Sequence, residues 1–479
     1  MTDARSTTLA SRLAAFAATS RFETLPEPVV ASVRDRVLDT LGIALAASAR
    51  GIGAAAMAVA AERSGTPAAT VIGGEALAAG EAAFVNGVLA HSLDFDDTHL
   101  PSVLHPSASI VPACLAAAEA AGATDGETIA AIAVGIEITV RLGLGGYADG
   151  VNHFFERGWH ATSICGTLGA AASAARLRGL DATATRDAIG IAASMSAGLL
   201  EANRSGGTVK RLHCGIAARA GIEAAQLAAA GYTAPASVLE GRFGFYRAYV
   251  EAAGDEELVT AGLGTRWELP GIHFKPYPCN HYTHAGIDAA LAIRDRRGSI
   301  DPERIARIEL GTAGPALRTI GEPRAEKVRP QSGYHAQFSG PFTVAAALLG
   351  GGGLGLWLDD FTDERARDPR LLALAERVQT FVDPACDEVF PRAFPAVLRV
   401  HFDDGSVEEA RIMENRGGPQ RPLSAEELHR KFTINAGLAL PEPAVAELAD
   451  AVWGLGSDPS AHSVAGLMAG TRAAAPVAS

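Results

Sequence analysis

The chain has 479 residues, of which 48% are hydrophobic and 20% charged, with a formal net charge of −13. Such a length exceeds one small core and leads to an expectation of two domains in a folded globular chain. The acidic excess argues against a nucleic-acid partner, which needs a basic face, but leaves room for an anionic small molecule held by a few local cations.

The cysteines (Cys114, Cys165, Cys214, Cys279 and Cys386) are odd in number and far apart, and no C-x-x-C occurs. A disulfide framework, a zinc knuckle and a compact iron–sulfur motif are therefore not expected, and a reducing cytoplasmic location fits. The opening MTDARSTTLASRL lacks a basic stretch followed by an apolar core, so no signal peptide is expected. No run of about 18 uncharged apolar residues suggests a membrane span.

In chain order, residues 26–49 form the first long helical pattern. Residues 90–112, AHSLDFDDTHLPSVLHPSASIVP, gather Asp94, Asp96, Asp97, Thr98, His99 and His105 and then run into an apolar helix. Buried charge is costly unless paired, so a polar cluster opening into an apolar helix reads as the rim of a pocket. Leu93 and Phe95, interleaved with the aspartates, favour partial burial over a solvated turn. Further Ala- and Leu-rich helices are expected over 127–142, 161–178 and 209–230, with Gly179 and Gly231 at their stops.

Beyond about residue 271 the texture changes. Lys275-Pro276-Tyr277-Pro278 precedes a helix at 283–294, and Tyr334-His335 leads towards another at 343–349. Residues 305–310 and 398–402 alternate as strands, and 407–412 follows the hairpin signal Asp404-Gly405. The glycine run 350–353 lacks the GK[ST] of a phosphate loop and reads as a turn. Asp368-Pro369 opens a helix, and Ser424-x-x-Glu427 is a capping box for the last helical stretch. The expected fold is mainly α: a large all-helical domain built from residues 1–271 and 419–479, with a smaller α/β domain at 272–418.

Five helix starts carry a polar anchor: His105, His160, Lys210, Lys275 and Tyr334-His335. Helix N-termini present free N–H groups and partial positive charge, so they favour carboxylates, and His or Lys adds a second attraction. The set suggests a site for a molecule with two or three carboxylates. Nine of the thirteen histidines lie between 91 and 284, which points to one site. A lysine at a helix start opposes the dipole, so removing Lys210 or Lys275 is expected to leave folding almost untouched. Asp94, Asp96 and Asp97 with His99 or His105 could form an oxygen/nitrogen metal site, but no H-x₃-H or H-E-x-x-H supports it. His281-x-x-His284 has ligand spacing but reads as an ordinary helix face.

The segments LDFDDTH, HPSASIVPACLAAAE, ERGWHATSICGTLGAAASAARLRGLD, GGTVKRLHCGIAARAG, FKPYPCNHYTHAGIDAAL and YHAQFSGPF together resemble the MmgE/PrpD family, in order and over nearly the whole chain. That family dehydrates 2-methylcitrate, decarboxylates cis-aconitate and epimerises iminodisuccinate. The resemblance implies a helical domain, an α/β lid, a homodimer and catalysis with no cofactor and no metal. It also implies that His105, His160, Asp94, Lys210 and Lys275 are catalytic, and that Thr98, Tyr334, Lys210 and Lys275 bind substrate.

The three reactions share one difficult step, the formation of negative charge beside a carboxylate. Histidine suits the proton transfers near neutrality, and lysines and helix N-termini suit the developing charge. The expectation is a cytoplasmic, cofactor-free hydro-lyase of the 2-methylcitrate dehydratase type acting on a small di- or tricarboxylate, with no membrane or nucleic-acid partner. Alternatives are a cis-aconitate-type decarboxylase, an epimerase of an imino- or amino-dicarboxylate and a non-catalytic polycarboxylate-binding protein. His160, flanked by Gly158-Trp159, is expected to be the base and His105 the acid. A site divided between two domains is expected to close over its ligand.

Overall fold

The computed structural model describes residues 8–148, 151–202, 207–298 and 300–472. Helices dominate, and strands are confined mostly to the C-terminal part. The chain forms two compact units, Met1–Ser92 with Ser102–Gly271 and Phe432–Ser479, and Leu93–Pro101 with Ile272–Lys431.

The first unit is built on α1 (Leu9–Thr19), α2 (Glu27–Ala49), α3 (Ala79–His91), α4 (Ser107–Ala121), α5 (Asp125–Leu144), α6 (Ala161–Leu177), α7 (Ala182–Met195) and α8 (His213–Ala229). α8 packs against α3, α6 and α7, and α6 packs against α4 and α5. The sequence signals act locally as expected. Proline occupies the first turn of α2. Thr124 and Glu127 form a reciprocal capping box at α5, with Thr124 N–H donating to Glu127 Oε2 at 2.8 Å. Gly179 and Gly231 follow α6 and α8 with φ of +70° and +98°. The expected helix at 209–230 begins later, because Val209–Leu212 is a single 3₁₀ turn and α8 starts at His213.

Small residues let these helices approach at backbone distance. A Cβ on Gly87 would lie 2.8 Å from Gly215 Cα, and one on Gly215 would lie 2.3 Å from Phe84 O. α3 and α8 therefore touch main chain to main chain. Gly221 of α8 meets Ala170 of α6 in the same way, at 2.4 Å from its Cβ. A buried ion pair within α5, Arg141 Nε to Glu137 Oε1 at 2.7 Å, holds residues 261–268 against that helix. Arg141 donates to Ala261 O and Arg266 O at 2.9 and 2.7 Å, and Glu137 Oε2 accepts from Glu268 N–H at 2.9 Å.

The second unit holds a four-stranded sheet of β1 (Ile305–Thr312), β2 (Val378–Val382), β3 (Ala396–Phe402) and β4 (Val407–Ile412), in the order β2-β1-β3-β4. β1 runs parallel to β2 and antiparallel to β3, and β3–β4 is a hairpin. Its turn uses Gly405 at φ +83°, with Asp404 Oδ1 accepting from Ser406 N–H at 2.9 Å. α9 (His284–Arg297) covers β3 and β4 and packs on α10 (Gly340–Leu349), which packs on α11 (Pro369–Glu376). Ile308, Leu310, Leu398, Val400, Ile287 and Phe342 share this unit's core. β2 was not anticipated, since its VQTFV is short and only Val378 is buried.

The limits of the second unit differ from the expected 272–418. Residues 93–101, expected in the helical body, group with it, and it continues to Lys431. The physical reason is pairing. Thr98 and His273 exchange N–H···O bonds of 2.8 Å each, and Lys431 Nζ donates to Phe95 O at 3.1 Å.

Gly215→Ala is expected to destabilise the protein by about 1–3 kcal/mol, the scale of overpacking a tight contact. Thermal unfolding reads this directly; an unchanged midpoint would show that α3 and α8 separate without cost.

Candidate functional site

In the first unit, imidazoles collect where helices begin and end. His91 is the last residue of α3, His160 is the N-cap of α6 and His213 is the first residue of α8. His105 precedes α4, and its N–H donates to Thr162 Oγ1 at 3.1 Å. Ring centroids lie 5.4 Å apart for His91–His105, 5.4 Å for His91–His160 and 5.0 Å for His160–His213. His160 and His213 meet through their Nδ1 atoms at 2.9 Å. The backbone fixes His160 as well, because its N–H donates to Gly198 O at 3.0 Å.

Lys210 sits in the 3₁₀ turn before α8 and is buried. Its charge faces both central rings. Burial pushes the His160 imidazole well below its ordinary range, and His91, Lys210, His213 and His105 add to the effect. Burial, His91 and Lys210 push His213 down to about 4. Both rings are therefore neutral near pH 7, as a base requires.

In the second unit, Asp94, Asp96, Asp97, Thr98 and His99 are all at most 3% exposed, so this run is no solvated turn. Asp94 takes φ +50°, a left-handed conformation that aspartate tolerates better than most residues. Lys275 Nζ lies 3.3 Å from Asp94 Oδ2 and donates to Asp94 O at 2.9 Å. Lys431 Nζ sits 4.0 Å over the Phe95 ring. Gln337 Nε2 donates to Leu93 O at 3.4 Å. His284 stacks on His281 at 4.5 Å, and its Nε2–H donates to Cys279 O at 3.2 Å. Burial and the Lys275 and Lys431 ammoniums push His284 down to about 3, against the opposing pull of Cys279 O and Asp94.

The structure thus gathers His105, His160 and Lys210 within the first unit, and Asp94, Thr98 and Lys275 within the second. The Tyr334 ring packs on Phe338 at 5.4 Å, and Gln337, one turn of chain later, bonds to the Asp94 segment at Leu93 O. His91, His213 and Lys431 were not singled out in the sequence. His213 had one available signal, its position one turn after Lys210 in K-x-x-H. His284 opens α9, in keeping with the helix-face reading, but it is 1% exposed and lies against charged groups.

The lysine expectation also needs correction. Lys275 is 1% exposed and paired with a buried carboxylate, so its removal is expected to affect folding. Among the described residues, no three His, Cys, Asp or Glu side chains are grouped to hold a metal ion, and no single helix is long and apolar enough to cross a membrane. Two open surface depressions, of about 610 Å³ around Arg12 and Phe16 and about 620 Å³ around Arg294 and Leu349, contain none of these site groups. Clustered ionisable side chains, and not these depressions, mark the site.

Comparison with known proteins finds similarity over most of the chain. The MmgE/PrpD N-terminal domain matches residues 11–257, and the MmgE/PrpD C-terminal domain matches residues 277–455. The chain is 33% identical to a cis-aconitate decarboxylase of Homo sapiens over 367 residues, 75% of this chain and 73% of that protein. It is 30% identical to a cis-aconitate decarboxylase of Aspergillus terreus over 406 residues, 80% of each chain. The corresponding protein of Mus musculus is 31% identical over 384 residues, 77% of this chain and 74% of that one.

Lys275→Ala leaves Asp94 buried without its ammonium, and a loss of about 3–5 kcal/mol is expected. Adding Asp94→Asn should recover part of it, measured by chemical unfolding. A single variant as stable as wild type would show that water solvates Asp94 freely.

Acidity gives a second test. His284 is held at about 3 and His213 at about 4, against an ordinary 6.5, so the unfolded chain binds more protons between those values. The stability these neutral rings contribute is complete above pH 6.5 and is lost as the pH falls towards 4 and then 3. The dependence of the unfolding midpoint on pH should flatten over this window in His284→Gln. An identical slope would place the acid sensitivity elsewhere.

Proposed function

The chain belongs to the MmgE/PrpD family and is an enzyme of the lyase type, and from that premise we propose that it decarboxylates a small unsaturated tricarboxylate of the cis-aconitate kind. The observation that carries the reading is the buried His160, neutral and placed against His213 and Lys210. The names of the relatives support decarboxylation over the dehydration first expected from sequence.

In this reading the C–C bond to one carboxylate breaks and CO₂ leaves. The electron pair stays behind as an allylic carbanion spread into a neighbouring carboxylate. A buried ammonium stabilises that charge far better than water-exposed lysine would, because a dry setting strengthens the attraction. Lys210 fills this role, and Lys275 is assigned as a carboxylate-binding residue. Thr98 adds a hydroxyl donor for substrate. The carbanion then takes one proton from an imidazole. His160 is the first candidate donor; the same ring would act as base in a dehydration, and His105 is its acid–base partner.

Proton NMR in D₂O separates the readings. Cis-aconitate should lose CO₂ and give an unsaturated dicarboxylate carrying one deuterium. Loss of water from 2-methylcitrate or citrate would instead establish a hydro-lyase. Exchange without net change would establish an epimerase, and binding without any reaction a carrier of polycarboxylates.

Two further outcomes follow. Lys210→Ala should lower kcat/KM by about 10²-fold or more, the scale of losing one charge-stabilising donor. Activity should survive EDTA, since lysines supply the positive charge. Abolition by chelation with recovery on adding Zn²⁺ or Mn²⁺ would overturn this mechanism.

A further inference from the structure

His160 and His213 are joined by a bond that constrains their protons. Their Nδ1 atoms are 2.9 Å apart, which is a hydrogen-bond distance. Two imidazoles can share such a bond only when one Nδ1 carries a proton and the other offers a lone pair. In a neutral pair, the ring with Nδ1–H has a basic Nε2, and its partner has an acidic Nε2–H. The pair therefore presents one acceptor and one donor at its outer ends, and moving the shared proton exchanges the two when one Nε2 gives up its proton and the other Nε2 gains one.

The surroundings hold this arrangement in place. Both rings stand at helix starts, His160 capping α6 and His213 opening α8. Ser163 Oγ donates to His213 O at 3.1 Å, tying the two starts together. Gly198 covers the bond: a Cβ there would lie 3.3 Å from His160 Cβ and 3.5 Å from His213 Nδ1. Its φ of +144° disfavours any side chain. The groups facing the pair are His91 from α3, Lys210 from the preceding turn and, at His160, His105 from the segment before α4. Lys210 opposes a second positive charge on either ring. Chemically, neutral imidazole is a feeble acid unless its other nitrogen is reprotonated as the first proton departs.

We propose that His160 and His213 form a two-imidazole proton relay, in which His213 is the positioning residue that fixes the tautomer of His160 and exchanges its Nδ1 proton. The relay rests on the decarboxylase reading for its direction. His160 Nε2–H protonates the carbanion carbon. His160 Nδ1 takes the proton from His213 Nδ1, and His213 Nε2 takes one from water, leaving hydroxide that passes to bulk solvent. One C–H bond forms, both rings end neutral with their tautomers reversed, and proton exchange of the two Nε2 atoms with solvent, with return of the shared proton, restores the starting state before the next turnover. No electrons are exchanged with any other group. The opposite flow would serve proton abstraction, so the device suits any reaction of this family at a carbon beside a carboxylate.

The test begins with enzyme labelled with ¹⁵N in its histidines and free of substrate. NMR should show one proton coupled to two imidazole Nδ1 nitrogens, absent in His213→Gln. Two separate Nε2–H tautomers with no shared proton would overturn the relay. In turnover of cis-aconitate, His213→Gln should lower kcat by about 10²-fold, the lower range for losing acid–base catalysis, with KM within about threefold. Wild type should give a curved dependence of rate on deuterium fraction, and the variant a linear one. The double variant His160→Gln/His213→Gln should be no slower than the poorer single one, as expected for residues acting as a unit. Added imidazole should partly restore His213→Gly, which a purely structural role would not allow. A His213→Gln enzyme with full kcat would also overturn the relay. If wild type turns over none of the polycarboxylates, the decarboxylase reading fails, and the presence or absence of the shared proton in the NMR spectrum still decides the relay.

Discussion

Main-chain contact between α3 and α8 sets the geometry on which the first unit's chemistry depends. Gly87 and Gly215 have no room for a Cβ, and the helix axes can approach only because neither carries one. His91 lies one turn beyond Gly87 and His213 two residues before Gly215. Moving the helices apart by a methyl group would displace both imidazoles relative to each other and to His160. The Gly221–Ala170 contact does the same for α8 and α6. The abundance of Ala and Gly in these helices is thus more than helix propensity; it sets the spacing of the polar groups at their ends.

Electrostatics then divides the work between two kinds of buried group. Around His160, burial first, and then neighbours that are other imidazoles and one ammonium, disfavour protonation, so the ring stays neutral. Around Asp94 the arrangement is a paired charge. Lys275 bonds both the carboxylate and the carbonyl of the same residue, which holds the left-handed turn at Asp94 as well as its charge. A buried pair of this kind is costly to assemble and more costly to break. Such an outlay without evident stabilising gain fits a segment shaped for binding.

Several elements could be read from the chain because their signals are local. The capping box at Thr124 and Glu127, the proline at the start of α2, the hairpin at Asp404-Gly405 and the capping box at Ser424 and Glu427 each satisfy backbone groups within a few residues. The anchors His105, His160, Lys210 and Lys275 were legible for the same reason, being polar residues set against apolar helices. Strand β2 was not, because VQTFV buries only its first residue and borrows its pairing from β1. The limits of the second unit were not legible either, since Thr98–His273 and Phe95–Lys431 join residues far apart in sequence.

The sequence by itself determined the mainly helical class, the change of texture near residue 271, the family and which polar residues stand at the starts of apolar helices. These follow from periodicity, capping and motif order, which are properties of neighbouring residues. Only the tertiary structure decided that Asp94 pairs with Lys275, that His284 is a buried ring beside charged groups and that His213 faces His160 nitrogen to nitrogen. Those relations depend on helix packing at the scale of a single missing Cβ and on burial, which sets the protonation of each group. Neither is written in the order of the residues.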